Sequence, residues 1–185
     1  MPSINIDKLK ELKDDFKNYS YFVETGTYLG DTTFAIHNLF NKYFTIEVSE
    51  TLYNNFKAKL SKENHSNIIS ILGDSSHIFN SLLPSLNENT IFFLDGHYSA
   101  GFTGKGDKEV PLIEEITLIN SLFTKRGIIM IDDYRLFENN QDENWRVITK
   151  DSIVSILSSR LTSVYHLSSN LHPQDILVLH IEGVN

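Results

Sequence analysis

Two apolar runs in this chain each end in acid. Ile91-Phe92-Phe93-Leu94-Asp95-Gly96-His97-Tyr98 delivers Asp95 to the end of a strand, and Ile128-Ile129-Met130-Ile131-Asp132-Asp133-Tyr134 repeats the device with an acid pair. Adjacent carboxylates after a buried strand are costly unless something positive sits between them. If Asp95, Asp132 and Asp133 meet at neighbouring strand ends, oxygen ligation completed by water suits magnesium, with manganese or calcium as substitutes. The competing reading makes them capping acids balanced by Arg135 or Lys105. His97 follows Asp95 by two residues and supplies a group able to take up a proton near neutral pH, so it is the first candidate base, with Asp95 the second.

A second constellation lies upstream. In Val23-Glu24-Thr25-Gly26-Thr27-Tyr28-Leu29-Gly30-Asp31-Thr32-Thr33 an apolar run ends in an acid, passes two glycines and opens a helix. Glycines let the backbone approach a ligand closely, and the amides of the following helix face it, which suits a nucleotide-like cofactor. Glu24, Gly26, Thr27, Tyr28, Gly30 and Thr32 are its candidate contacts, although such a turn is also common as structure alone. Glu47 ends the next apolar run, where a carboxylate can accept both hydroxyls of a ribose; a solvated charge before a helix is the alternative. In Gly73-Asp74-Ser75-Ser76, Asp74 could accept from an adenine amino group with Ser75 beside it, or simply cap a helix. Asp95 is also a candidate cofactor contact.

These residues need a parallel sheet whose strand ends converge. Apolar runs of strand length at Tyr21 to Glu24, Tyr43 to Glu47, Ile68 to Leu72, Thr90 to Asp95 and Gly127 to Asp132 alternate with segments of helical period. The spacing predicts helices over Asp31 to Leu39, Glu50 to Leu60, Ser75 to Leu83, Glu109 to Phe123 and Lys150 to Ser159, with an opening helix over Ile6 to Lys17. Ser163 to Leu167 and Ile176 to Ile181 close the chain as a hairpin around a polar turn. This layout is similar to the class I methyltransferase fold: a Rossmann-like α/β sheet of seven mostly parallel strands, the last antiparallel, with helices on both faces. One domain is expected over residues 1–185, with an N-terminal helix in 1–19, the cofactor and metal site in 20–135, and a C-terminal helix and hairpin in 136–185.

Composition narrows the function classes. The 185 residues are 41% hydrophobic and include no cysteine, which excludes disulfides, thiolate metal sites and a thiol nucleophile. No apolar run approaches the ~20 residues that span a bilayer, so a soluble cytoplasmic protein without membrane partners is expected. A net charge of −8 opposes broad attraction to nucleic acid.

Glu24 to Thr32 resembles the first motif of the metal-dependent class I O-methyltransferases, including the catechol type, which use S-adenosylmethionine. Asp95-Gly96-His97-Tyr98-Ser99 and Ile131-Asp132-Asp133-Tyr134 resemble the paired motifs of the macrocin-type sugar O-methyltransferases. The resemblance spans roughly residues 20 to 135 and implies that Asp95, Asp132 and Asp133 hold a magnesium ion beside the acceptor hydroxyl. Two positions depart from it: Tyr28 stands where the commoner loop has its middle glycine, and His97 stands where the macrocin type often has another acid. The acceptor implied is a small molecule, a sugar, nucleotide-sugar or glycan. Lys105, Lys108 and Arg135 would form a cationic rim that suits a phosphate, or are simply solvated surface charge, and Tyr134 adjoins that rim or is only structural. A homodimer is left open. The rival readings are a nicotinamide-dependent oxidoreductase, which would give the strand-end acids no purpose, and a non-catalytic cofactor-binding protein, which would need neither those acids nor His97.

Overall fold

The computed structural model describes residues 3–62, 65–97, 108–139 and 142–184. Its strands are β1 (Tyr21–Thr25), β2 (Lys42–Glu47), β3 (Ile68–Leu72), β4 (Thr90–Leu94), β5 (Gly127–Ile131), β6 (Leu161–Leu167) and β7 (Ile176–Ile181). They form one seven-stranded sheet in the order β3-β2-β1-β4-β5-β7-β6. The first five strands are parallel, and β7 runs antiparallel to both β5 and β6. The order reverses between β1 and β4, which opens a crevice beyond the carboxyl ends of those two strands.

Continuous apolar runs place every second side chain on the opposite face, and both faces are buried. Val23, Phe92, Ile129 and Leu179 point toward α4 (Ser75–Leu82), α5 (Leu112–Leu122) and α7 (Lys150–Leu157). Phe22, Ile91, Ile128 and Val178 point the other way, toward α1 (Ile6–Lys10), α2 (Asp31–Ile36) and α3 (Glu50–Leu60). Burying such a side chain contributes ~1.5–3 kcal/mol, so the two layers fix the sheet that aligns the strand ends.

Several boundaries differ from the sequence expectation. The opening helix stops at Lys10 instead of Lys17, and a 3-10 turn follows at Phe16–Asn18. The acids between them serve other structures: Asp15 caps that turn, while Asp14 accepts from the Tyr19 hydroxyl (3.0 Å) and from Arg126 (2.5 Å). Helix α5 begins at Leu112 rather than Glu109, because Pro111 occupies its N-cap. Helix α2 gives way to a 3-10 turn at His37–Leu39, and β6 starts two residues early, at Leu161. The polar stretch before α7 holds a short helix, α6 (Glu143–Arg146), not expected from the sequence. Among the described residues no helix is long and apolar enough to cross a membrane.

Candidate active site

The glycine turn joins β1 to α2. Gly26 adopts a φ of +86°, and a Cβ there would collide with the carbonyl oxygen of Asp95, so the turn lies directly against the end of β4. Tyr28 is left-handed without being glycine (φ +47°) and is half exposed. Strain of this kind, on the order of 1–3 kcal/mol, persists where the surroundings impose it. Here Glu47 imposes it: its Oε2 accepts from the Tyr28 amide at 2.8 Å while Oε1 accepts from the Ser49 amide at 2.9 Å. Gly30 is the left-handed N-cap of α2, and the buried Thr32 hydroxyl accepts from the Ser3 amide.

Glu24 lies beneath this turn, inside the protein. Its Oε2 accepts from the hydroxyls of Thr33 (2.7 Å), Thr45 (2.9 Å) and Tyr43 (3.2 Å), and Thr45 is bonded in turn to Thr27 at 2.6 Å. Burial pushes the Glu24 carboxyl up to about 7, the hydroxyls offset part of that rise, and the Glu47 charge adds to it. The side chain therefore ties β1, β2 and α2 together under the turn. Asp74 caps α4, its Oδ1 accepting from the Ser76 amide (2.9 Å) and hydroxyl (2.6 Å), and Ser75 is buried beside it.

Across the crevice, Asp95 follows β4 and the pair Asp132-Asp133 follows β5. Asp133 is left-handed (φ +58°), and its Oδ2 pairs with His97 Nε2 at 2.8 Å while its Oδ1 pairs with Arg135. Nδ1 of His97 lies 3.7 Å from Asp95 Oδ1. The ligand atoms of Asp95, His97 and Asp133 lie within 4.8 Å of one another, as do those of Asp132, Asp133 and Asp175. The three acids expected to act together are thus divided between two overlapping groups that share Asp133, with His97 wedged into the first.

Electrostatics set these acids apart. Burial, followed by the charges of Asp132 and Asp133, holds Asp95 well above the ordinary carboxylate range. Burial and Asp133 push Asp132 up to about 6. Burial opposes ionisation of Asp133 too, but His97 and Arg135 outweigh it and hold that carboxyl below its usual value. Carboxylates that force one another toward protonation ionise together once a cation joins them, so the donor set fits a divalent metal held by oxygen.

Arg135 bridges Asp133 and the buried Asp175 (2.5 Å), and Lys108 pairs with Glu114, so the two rim cations among the described residues have carboxylate partners. Lys105, Tyr98 and Ser99 lie outside the described residues. Tyr134 packs on Phe137 and on His166, at 4.9 and 4.4 Å between ring centroids. Two groups were missed in the sequence. Asp175 sits in a polar turn where nothing marks it as buried. Glu115 is buried on α5, and its place in the apolar spacing Leu112, Glu115, Ile116, Ile119 was a readable signal. Trp145, in α6, lies edge-on to His97 with centroids 5.1 Å apart. A cavity of about 160 Å³ opens beside the acids, lined by Ser3, Asp132, Asp133, Arg135, Ser169 and Asp175.

No family model matches this sequence, and no curated protein matches it. Solved structures do. An rRNA methylase from Streptococcus thermophilus is 18% identical over 91% of this chain and 89% of its own, with a TM-score of 0.52. A SAM dependent methyltransferase from Aquifex aeolicus is 13% identical over 96% and 98%, with a TM-score of 0.55. Spermidine synthase from Thermotoga maritima is 11% identical over 91% of this chain and 54% of its own, with a TM-score of 0.56. Likeness at these identities shows the fold: this chain has the Rossmann-like class I methyltransferase fold, a seven-stranded mixed sheet with helices on both faces. A synthase shares it, so the reaction must be argued from the site.

Proposed function

We propose that this chain transfers a methyl group from S-adenosylmethionine to a hydroxyl of a small, saccharide-like acceptor with the help of a divalent cation. The observation that carries the reading is the juxtaposition at the β1–β4 junction. A glycine turn closed by Glu47 abuts the backbone of Asp95, and beyond it Asp132, Asp133 and His97 converge.

When bound, the cofactor supplies an electrophilic methyl and the cation, magnesium or alternatively manganese or calcium, acts as a Lewis acid at the acceptor oxygen. Asp95 and Asp132 carry the capacity to hold the cation, since both Asp133 oxygens already have partners; Asp133 joins through its remaining lone pairs. Glu24, Gly26, Thr27, Tyr28, Gly30 and Thr32 shape the cofactor cradle, and Glu47 receives the ribose hydroxyls through lone pairs not used by Tyr28 and Ser49. Asp74 and Ser75 border the adenine side.

His97 accepts the proton of the acceptor. Its Nε2 is engaged by Asp133, which fixes the tautomer and stabilises the imidazolium, so Nδ1 is the accepting atom. Trp145 and Asp133 hold the ring in place. The acceptor enters the cavity beside Arg135 and Asp175, which has room for part of a small polar molecule. Because Arg135 and Lys108 have carboxylate partners, sugar hydroxyls fit this rim better than a nucleotide phosphate.

The test pairs binding with turnover. S-adenosylhomocysteine, S-adenosylmethionine and NAD are compared by thermal shift, where a ligand at 100 times its dissociation constant stabilises by ~2.7 kcal/mol. Methyl transfer to a panel of sugars is then followed with magnesium and with chelator. Stabilisation by NAD alone would overturn the reading in favour of an oxidoreductase. By isothermal titration calorimetry Glu47→Ala is expected to weaken S-adenosylhomocysteine binding by the ~1.5–3 kcal/mol of charge-assisted hydrogen bonds. An unchanged affinity removes Glu47 from the ribose.

A further inference from the structure

The sheet has two open edges, β3 and β6, and they are protected unequally. β6 carries a β-bulge between Leu161 and Ser163, and Lys13 lies over it, its amide donating to the Tyr165 hydroxyl (2.9 Å) and its Nζ to the Ser163 hydroxyl (3.3 Å). Bulges and lysines stop a sheet edge from recruiting another strand. β3 has neither: Ile68-Ile69-Ser70-Ile71-Leu72 holds no charge and no proline, pairs with β2 in unbroken register, and leaves Ile69 and Leu72 37% and 41% exposed.

The hydrogen bonds that β3 makes to β2 fix what its open edge offers. The Tyr43 amide donates to the Asn67 carbonyl at 2.9 Å and the Gly73 amide to the Glu47 carbonyl at 2.9 Å, so alternate residues from Asn67 to Gly73 turn their main-chain groups to β2. Ile68, Ser70 and Leu72 turn theirs outward. The Ile68 amide is taken by the His65 carbonyl (3.1 Å), which leaves the Ile68 carbonyl, the Ser70 amide and carbonyl and the Leu72 amide on the open side. The Ser70 hydroxyl is buried and does not compete for them. This row is self-complementary. About a two-fold axis through Ser70, an antiparallel second copy exchanges amide-to-carbonyl bonds between the two Ser70 residues, and each Leu72 amide reaches the other copy's Ile68 carbonyl. The same register sets Ile69 opposite Ile71 and Leu72 opposite Ile68, so each exposed apolar side chain meets another.

Charge selects the same arrangement. Because β2 and β3 are parallel, α3 runs back along β3, on which it packs. Its start, Glu50, lies at the end where Gly73 bonds Glu47 and Asp74 follows; the exposed Lys57 and Lys62 lie toward the opposite end. The two-fold axis brings the acidic end of each copy to the basic end of the other.

We infer that β3 is a dimer interface: a second copy of this chain pairs antiparallel on its open edge, about Ser70, and the two sheets become one. Such a dimer is independent of the reaction proposed above, since the crevice opens at β1 and β4, with β2 between it and this edge.

Sedimentation equilibrium of the full chain at concentrations up to about 100 µM reads the association directly, and a dimer is expected. Ser70→Pro removes an outward amide that the single chain does not use, at a position where an edge strand tolerates proline, and is expected to weaken association by about 10- to 100-fold. Ile69→Lys supplies the protection that β3 lacks and is expected to weaken it as much, so the interface is read even if the proline variant does not fold. Glu50→Lys is expected to weaken the dimer by about two- to fivefold, and Lys57→Glu added to it to restore the parental strength. A parent that stays monomeric overturns the inference and leaves the edge to a strand of a different protein. A dimer of unchanged strength in folded Ile69→Lys overturns it as well and puts the interface elsewhere, while a double charge variant no stronger than Glu50→Lys alone overturns the antiparallel register.

Discussion

Glu24 and Glu47, under and beside the glycine turn, are surrounded by donors, whereas Asp95 and Asp132, across the crevice, are surrounded by other acids. Three hydroxyls converge on Glu24 and two amides on Glu47, so this side of the site is complete before any ligand arrives. The β4–β5 side holds its carboxylates in mutual opposition, with Asp95 and Asp132 both raised by burial and by their neighbours. A cradle for an organic cofactor must keep its shape when empty. A cation site gains affinity from the repulsion that the cation relieves.

The sharpest way to break this contrast is at His97, which belongs to the β4–β5 side alone. His97→Asn keeps a polar side chain without the basicity, and a general base contributes ~100-fold to 10,000-fold in rate. Methyl transfer is expected to fall by that factor while calorimetric affinity for S-adenosylhomocysteine is retained. A variant that turns over at the parental rate leaves His97 only a support for Asp133.

Stability measurements should next separate the two sides by sign. Glu24→Ala strands the Thr33, Tyr43 and Thr45 hydroxyls and is expected to destabilise the ligand-free protein by ~3 kcal/mol. Asp132→Asn relieves repulsion, so it is expected to raise the melting temperature of the ligand-free protein while abolishing the ~2.7 kcal/mol stabilisation by saturating magnesium. Melting curves with and without magnesium read both effects. A lower melting temperature for the Asp132 variant would show that the acid is structural.

The most gradual effect is in pH dependence. Glu24 is raised from 4.5 to about 7 in the folded protein. Between those values the unfolded chain has released the proton and the native state has kept it, so the contribution of Glu24 to stability is full below 4.5 and declines until pH reaches about 7. The loss is on the order of 3 kcal/mol across the window, and Glu24→Gln is expected to flatten the slope of denaturation midpoints over that range. An equally steep slope in the variant would assign the dependence to other groups.

The sheet was legible because its strands are uninterrupted apolar runs, and the strand-end acids because they terminate those runs. The opening helix was overextended because Asp14 and Asp15 read as a polar helical face, whereas one reaches Arg126 and the other caps a turn. Glu115 stands next to Glu114 in sequence, and only its place on the buried stripe of α5 distinguishes it. Asp175 and its pairing with Arg135 depend on β7 lying antiparallel beside β5, a long-range pairing that no local pattern records.

The close approach of Gly26 to Asp95 also has a thermodynamic consequence. A single carbonyl group separates the backbone of the proposed cofactor turn from that of Asp95, at the mouth of the proposed cation site, and the Asp95 amide donates to the Thr25 carbonyl at 3.2 Å. A cofactor and a cation bound as proposed would share that thin partition and form a linked system. Whatever factor cation binding imposes on cofactor affinity, the cofactor must return to the cation. Titrating each ligand in the presence of the other therefore measures one coupling free energy twice, and protection of the Asp95 amide from solvent exchange provides a local gauge of it.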